Sequence, residues 1–363
     1  MNLLLASPLT GAVSGVEYVT WATIEALKDV WTVVHLDTAT ARRNIERGIP
    51  TPNGLVRMAH MTARMATLCK TKPDLAMIQC ARNRLGFLKF AVLRAVARQA
   101  NIPVVAKLGG NDFDLFYEWV SPVFQSLIHR TLRDTSVLVE AYCLRNQFAD
   151  LVPPDRILWA YLGVPKRPYP HFMRWTQTTN RLLFVGHVSQ AKGAVDLLEA
   201  MSILQRTAPH LRLTMLGEHI RVERSIVHIA DPHGAWKRVK ALPDTVTAPG
   251  VVQAGKWKEY ESADLFVFPS RSEGMPVVIL EALMAGLPIV CTPVGALPEI
   301  LGPNNADVVP VNDPVRLAEA IKALHADTGR RRSMGITNAR LAREQFTLGH
   351  YRTDLLSALE GVR

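Results

Sequence analysis

Short apolar runs alternate with longer helical stretches along this chain, and the series occurs twice. In the first half the runs are NLLLAS, WTVVHLD, DLAMIQC, PVVAKL, SVLVEA and RILWAYL, with helical stretches between them, for example at 55–69 and 86–100. In the second half they are RLLFVG, LRLTMLG, DLFVFPS, LPIVCT and ADVVPV, separated by helical stretches at 194–206, 276–285 and 315–326. A strand that is apolar nearly throughout is buried on both faces, so such strands alternating with helices predict parallel sheets covered on each side. Two series predict an α/β protein of two doubly wound domains, for which 363 residues suffice. Residues 165–180, PKRPYPHFMRWTQTTN, carry three prolines and no clear period, and read as a linker. Within 218–256 only a short helix is expected, in HIADPHGAWKRVKALPD, and the chain after 329 reads as helical to its end. A ligand is expected at the carboxyl ends of both strand sets, in a cleft between the domains.

Composition removes several classes. Hydrophobic residues are 48% and charged residues 20%, enough for two cores. No apolar stretch approaches the roughly 20 residues that cross a bilayer. The N-terminus, MNLLLASPLTG, has no basic segment before its apolar run and reads as a first buried strand rather than a signal peptide. Cys69, Cys80, Cys143 and Cys291 are scattered without a C-x-x-C pair, so neither a disulfide framework nor a zinc site is suggested, and a reducing cytosol is expected. The net charge is +10, and residues 1–170 hold 20 Lys/Arg against 13 Asp/Glu. A basic first half suits a phosphorylated ligand or an anionic lipid, or is simply a solvated surface. Nucleic acid is disfavoured because the basic residues are not interleaved with aromatics.

The stretch SRSEGMPVVILEALMAG, residues 270–286, holds Glu273 and Glu281 with seven residues between them. A buried strand precedes it, RSEG forms a loop, and Met275-Pro276 opens a helix with Pro at its first position. Gly286 is a suitable stop. The helix N-terminus then lies at the carboxyl edge of the sheet and presents free N–H groups and a positive dipole end, a site for phosphate. Glu273 can reach a ligand from the loop. Glu281, about five residues in, is placed to accept from paired ribose hydroxyls; the bland alternative is an exposed helix Glu.

Three further loops follow strands. In LLFVGHVSQAKG, Gly186 ends a strand and His187 and Lys192 flank the loop. Lys192 is placed to meet a diphosphate as a point charge, His187 to donate more weakly or to pack. In PLTGAVSGVEYV, Gly11 and Gly15 bracket a turn where a backbone amide can approach phosphate. The P-loop pattern is absent, which argues against an ATPase. In KLGGNDFDLFY, Asn111 and Asp112 are candidates for sugar or acceptor contacts, or an Asx turn with a helix cap.

Together these motifs resemble the retaining glycosyltransferases of family 4, which have the two-domain GT-B fold. FVGHVSQAKG and ADLFVFPSRSEGMPVVILEALMAGLPIVCTPVGALPE carry the resemblance most strongly, and the latter looks like the family's Glu-x7-Glu signature. TGAVSG, VLVEAYCLRNQF and YLGVP, with Leu162 in place of Asn, carry it more weakly. The resemblance implies two Rossmann-like domains, 1–165 and 181–346, joined by 166–180, with a C-terminal helix at 347–363 packing back on the first. It implies that Glu273 contacts donor-sugar hydroxyls and Glu281 holds the ribose. Gly274, Met275, Pro276, Val277 and Lys192 hold the diphosphate, with Gly186 and His187 beside them, and Gly15 adds an amide. Glu273 and Lys192 would be the catalytic pair. Two positions depart from the family: His187 stands where Arg is usual, and Gly109 where many members have a sugar-contacting His.

The implied reaction moves a sugar from a nucleoside-diphosphate sugar to a hydroxyl acceptor with retention of configuration, in bacterial polysaccharide or glycolipid assembly. No cofactor and no metal are expected, since Lys192, the helix N-terminus and backbone amides would offset the leaving-group charge. Domain closure would exclude water. Partners would be the nucleotide sugar and a hydroxyl acceptor, a lipid-linked glycan among them. An anionic membrane surface is a further candidate partner, and a cytoplasmic location, peripheral at the inner face of the membrane, follows from it. The motivating helix is RLGFLKFAVLRAVARQA, where Arg84, Lys89, Arg94 and Arg98 accompany Leu85, Phe87, Leu88, Phe90 and Leu93; the alternative is a helix packed on the first sheet. Two other functions stay open: a non-catalytic nucleotide-sugar or polysaccharide-binding protein, suggested by His187 and Gly109, and an epimerase, for which the Glu pair is poorly placed.

Overall fold

The computed structural model describes residues 1–9, 15–39, 52–168, 180–218, 245–252 and 255–362. These divide into two units, Met1–Gly163 with Leu348–Arg363, and Val164–Thr347. Each is a doubly wound α/β unit with a parallel sheet, the architecture of the GT-B fold.

In the first unit the strands are β1 (Asn2–Ser7), β2 (Thr32–Asp37), β3 (Leu75–Gln79), β4 (Val104–Lys107), β5 (Ser136–Val139) and β6 (Ile157–Trp159). They pair in the order β2-β1-β3-β4-β5-β6, every pair parallel. Leu3, Leu4, Leu5 and Ala6 of β1 are buried, because β1 is covered on both faces. The helices are α1 (Gly15–Leu27), α2 (Pro52–Cys69), α3 (Arg84–Gln99), α4 (Phe113–Trp119) and α5 (Pro122–Leu132). Strand order reverses between β1 and β3.

The second unit pairs β7 (Arg181–Val185), β8 (Arg212–Leu216), β9 (Val246–Gly250), β10 (Leu265–Phe268), β11 (Ile289–Cys291) and β12 (Asp307–Val308) in the order β12-β11-β10-β7-β8-β9, all parallel. Phe184, Phe266 and Phe268 stack across its core, with ring centroids 6.1–6.4 Å apart. Its helices are α6 (Ala194–Thr207), α7 (Lys256–Ser262), α8 (Val277–Met284), α9 (Leu297–Ile300), α10 (Pro314–Ala326) and α11 (Thr328–Gln345). Here the order reverses between β7 and β10, so the loops after those two strands leave the carboxyl edge side by side, where open α/β sheets bind ligands.

Several expectations change. The chain after 329, read as helical to its end, is two helices, α11 and α12 (Leu348–Leu359), the second lying within the expected 347–363. The break comes at Phe346–Thr347, where Val164 donates its N–H to the Phe346 carbonyl at 2.8 Å and bridges Thr347. α12 then packs on α1 and β6 in the first unit. Of the expected linker, residues 165–168 belong to the second unit, where the Arg343 guanidinium donates to the carbonyls of Arg167 and Pro168; residues 169–179 lie outside the described residues, as does the short helix expected in HIADPHGAWKRVKALPD.

The Arg-rich helix α3 buries Phe87, Phe90, Leu93 and Ala97. Its cations are held inside the unit: Lys89 by the Thr38 carbonyl, Arg94 by Thr135 and Asp134, Arg98 by Asp134, and Arg84 over the Trp119 ring at 5.1 Å. The helix packs on β3 and β4 of the first sheet, while Leu85, Leu88 and Val92 on it are exposed. No described helix is long and apolar enough to cross a membrane. All four cysteines are free thiols, and burial pushes the Cys80 thiol up and that of Cys291 up to about 12.

Candidate active site

The site begins where β7 and β10 end. After β7 the chain passes through Gly186 and His187, both half-buried, to Lys192 and Gly193. Gly193 has φ +69°, and a Cβ there would stand 1.8 Å from the Pro269 carbonyl oxygen at the end of β10. Only glycine permits this approach, and it locks the two loops together. The Arg271 N–H donates to the Ala191 carbonyl at 2.9 Å, and the Arg271 guanidinium grips both oxygens of Asp196 on α6 at 2.8–3.2 Å.

On that frame Lys192 meets Glu273. Lys192 Nζ lies 2.7 Å from Glu273 Oε1, and the Ser270 hydroxyl donates to the same oxygen at 2.6 Å. Sequence reasoning gave Lys192 and Glu273 separate ligand contacts; the structure brings them into one ion pair, with side-chain exposures of 27% and 10%. Ser270 is itself fixed, its carbonyl accepting from the Thr292 hydroxyl. Gly274, Met275 and Pro276 are buried and Val277 half-buried.

α8 begins at Val277. Pro276 is its cap residue, with φ −74° and ψ 113°, rather than its first helical residue as expected. Pro276 has no side-chain acceptor to cap the helix, and in the first turn the Ile279 N–H donates to the Pro276 carbonyl at 3.0 Å. The helix closes in a Schellman motif, with Leu287 N–H donating to the Ala282 carbonyl and Gly286 N–H to that of Leu283, and Gly286 at φ +64°. Glu281, its fifth residue, is 8% exposed, so it is not a solvated helix Glu. Lys256 Nζ lies 2.6 Å from Glu281 Oε1, and the Tyr260 hydroxyl donates to Oε2 at 2.7 Å. Burial, then the Glu281 charge and its hydrogen bond, hold the Tyr260 phenol well above its ordinary value, so it remains a donor. Lys256 follows β9 at the same carboxyl edge. Each glutamate of the pair is thus held by a lysine from a neighbouring loop or helix start.

The first-unit candidates also lie at a carboxyl edge. Gly15 opens α1 and is exposed, with no described atom outside its own helix and chain neighbours within 4 Å of where its Cβ would be. Asn111 is half-buried after β4. Asp112 caps α4 without a side-chain hydrogen bond to the helix and forms an ion pair with Arg82 instead. The Arg82 guanidinium lies against Gly110, whose φ is +94°. A Cβ at Gly109 would come within 3.1 Å of Glu140 Oε1, so the buried Glu140 carboxylate occupies the space beside it.

Four side chains escaped the sequence reading: Lys256 and Tyr260 on Glu281, Ser270 on Glu273, and Arg271 on Asp196. Ser270 and Arg271 lie in the quoted motif itself. Lys256 and Tyr260 sit four residues apart, hence on one helix face, but no apolar run marks the strand before them. Among the described residues no group of three or more His, Cys, Asp or Glu side chains could hold a metal ion.

The two parallel sheets and the paired loops of the second define a GT-B protein. The chain is similar to sucrose-phosphate synthase from Thermosynechococcus elongatus, with a TM-score of 0.73 and 18% identity over 98% of this chain and 97% of that one. It is equally similar to Anabaena Alr3699/HepE in complex with UDP-glucose, with a TM-score of 0.73 and 16% identity over 100% of each chain. A family model, glycosyl transferases group 1, matches residues 179–327, which span most of the second unit. The D-inositol 3-phosphate glycosyltransferase of Segniliparus rotundus is 30% identical over 213 residues, 58% of this chain and 46% of that protein. The putative teichuronic acid biosynthesis glycosyltransferase TuaC of Bacillus subtilis is 26% identical over 242 residues, 62% of this chain and 56% of that protein. The chain spans about half the length of these relatives.

Proposed function

We propose that the protein is a retaining glycosyltransferase of the family 4 type, moving a sugar from a nucleoside-diphosphate sugar to a hydroxyl acceptor. The observation that carries this is the pair of Lys–Glu contacts, Lys192–Glu273 at 2.7 Å and Lys256–Glu281 at 2.6 Å, at the carboxyl edge of one parallel sheet. The group 1 match over residues 179–327 supports it.

In this reading Glu281 accepts from the ribose hydroxyls. Lys192 and the first-turn N–H groups of α8 meet the diphosphate and stabilise the charge that develops as it leaves. Lys192 exchanges part of its contact with Glu273 for phosphate oxygen, which frees the Glu273 carboxylate to accept from hydroxyls of the donor sugar. The acceptor hydroxyl attacks from the face the phosphate leaves, and its proton passes to the departing phosphate oxygen. No protein nucleophile is required. These cationic and dipolar groups can offset the charge without a metal. We place the reaction in polysaccharide or glycolipid assembly.

The test is a transfer assay with UDP-, GDP- and ADP-sugars, starting with UDP-glucose, and a panel of hydroxyl acceptors. Nucleoside diphosphate should be released in step with a new glycoside, and Lys192→Ala and Glu273→Gln should abolish both. A wild-type protein that binds a nucleotide sugar without turning it over would instead support a non-catalytic binding protein, the reading that the Glu140-filled space beside Gly109 favours.

A further inference from the structure

Glu281 is held from two directions by one helix. Lys256 and Tyr260 lie one turn apart on α7, and each donates to a different oxygen of the carboxylate, at 2.6 and 2.7 Å. An ionised carboxylate offers about four lone-pair sites. Two are used, which leaves one on each oxygen. That remainder suits a vicinal diol, which presents two O–H donors side by side. The terminal torsion of a glutamate is broad, so a carboxylate held by one donor could turn out of the diol's plane. Two donors fix it.

Packing does not explain the lysine. Tyr260 is fully buried and belongs to the core, in ring contact with Phe266. The Lys256 side chain is 35% exposed, beside a Glu281 side chain at 11%. It stands at the first residue of α7, after Gly255 with φ +90°, on the carboxyl edge of the sheet. Resting on the function proposed above, we propose that Lys256 is a positioning residue for the donor's ribose. It holds the Glu281 carboxylate so that the remaining lone pairs meet the 2′- and 3′-hydroxyls, and so sets the preference for ribonucleotides over deoxyribonucleotides.

Calorimetric titration of the full chain with UDP, GDP and ADP, and with their 2′-deoxy forms, tests this. The wild type should bind one ribonucleotide more tightly than its deoxy form. Lys256→Met should weaken the ribonucleotide about tenfold and the deoxy form far less, so that the ratio between them shrinks towards one. Lys256→Arg, which keeps charge and donor, should restore much of the ratio. Adding Lys256→Met to Glu281→Gln should cost nothing beyond Glu281→Gln alone. A Lys256→Met protein with the wild-type melting temperature and the wild-type ratio overturns the positioning role and leaves the glycosyltransferase reading standing. A wild type that binds none of the six nucleotides overturns both.

Discussion

Replacing Gly295 by alanine disturbs the candidate site without altering any side chain in it. Gly295 has φ +57°, and a Cβ there would lie 2.3 Å from both the Glu273 and the Gly274 carbonyl oxygens, where ordinary contact begins at 3.4 Å. The overlap of about 1 Å falls on main chain, not on a flexible side-chain end. The loop it strikes is already pinned: Gly274 O accepts from Ala296 N–H at 2.9 Å, and Glu273 is held by Lys192 and Ser270. Left-handed strain costs roughly 1–2 kcal/mol and overpacking roughly 1–3, so about 3 kcal/mol is expected together. For a unit of this size that lowers Tm by roughly 6–12 °C. A shift of about 1 Å at Glu273 should also cost on the order of 100-fold in kcat/KM. Gly250 supplies the control, since its φ is +90° but no atom of the described residues beyond its chain neighbours lies within 4 Å of a Cβ there; Gly250→Ala should show the left-handed strain of roughly 1–2 kcal/mol alone. Calorimetry and donor kinetics on both variants decide the matter. Equal melting temperatures for the two, or unchanged donor kinetics in Gly295→Ala, would refute the packing described for the Glu273 loop.

Asp196→Ala should destabilise the protein by about 3–5 kcal/mol in urea unfolding, because it strands the Arg271 guanidinium, whose side chain is only 15% exposed. Raised thiol pKa values keep Cys80 and Cys291 protonated at pH 8, so iodoacetamide should label the partly exposed Cys143 first and reach those two only on unfolding; labelling of Cys291 in native protein at that pH would contradict its burial. EDTA should leave the transfer rate nearly intact, whereas loss of activity restored by Mg²⁺ or Mn²⁺ would contradict the assignment of the leaving-group charge to Lys192 and α8.

The fold was legible because apolar strands buried on both faces announce themselves as continuous runs, and the loops after them could be placed on one edge without knowing the strand order. That is why Glu273, Glu281 and Lys192 could be singled out. What could not be read was which of them touch. The Lys192–Glu273 contact depends on β7 and β10 being neighbours although two strands separate them in sequence. Lys256 and Tyr260 were missed for a related reason. β9, the strand before them, is VTAPG, an edge strand with a proline and a glycine and no apolar signature, and α7 has only seven residues. The Arg-rich helix α3 shows a further limit. Its spacing is equally that of a membrane-surface helix and of one packed on a sheet, and it does not disclose that the cations meet Asp134 and the Thr38 carbonyl. In the helical tail only Phe346 and Thr347, neither Gly nor Pro, separate α11 from α12, so no local stop signal marks the break, and only the family resemblance placed a separate helix at 347–363.

Donor-saturation kinetics of Glu281→Gln against wild type bear most directly on the claim that this glutamate pair holds a nucleotide sugar. Losing a charged, buried acceptor for paired hydroxyls costs about 1.5–3 kcal/mol, so the donor KM should rise roughly tenfold or more. A Glu281→Gln protein with the wild-type KM and the wild-type rate would contradict it.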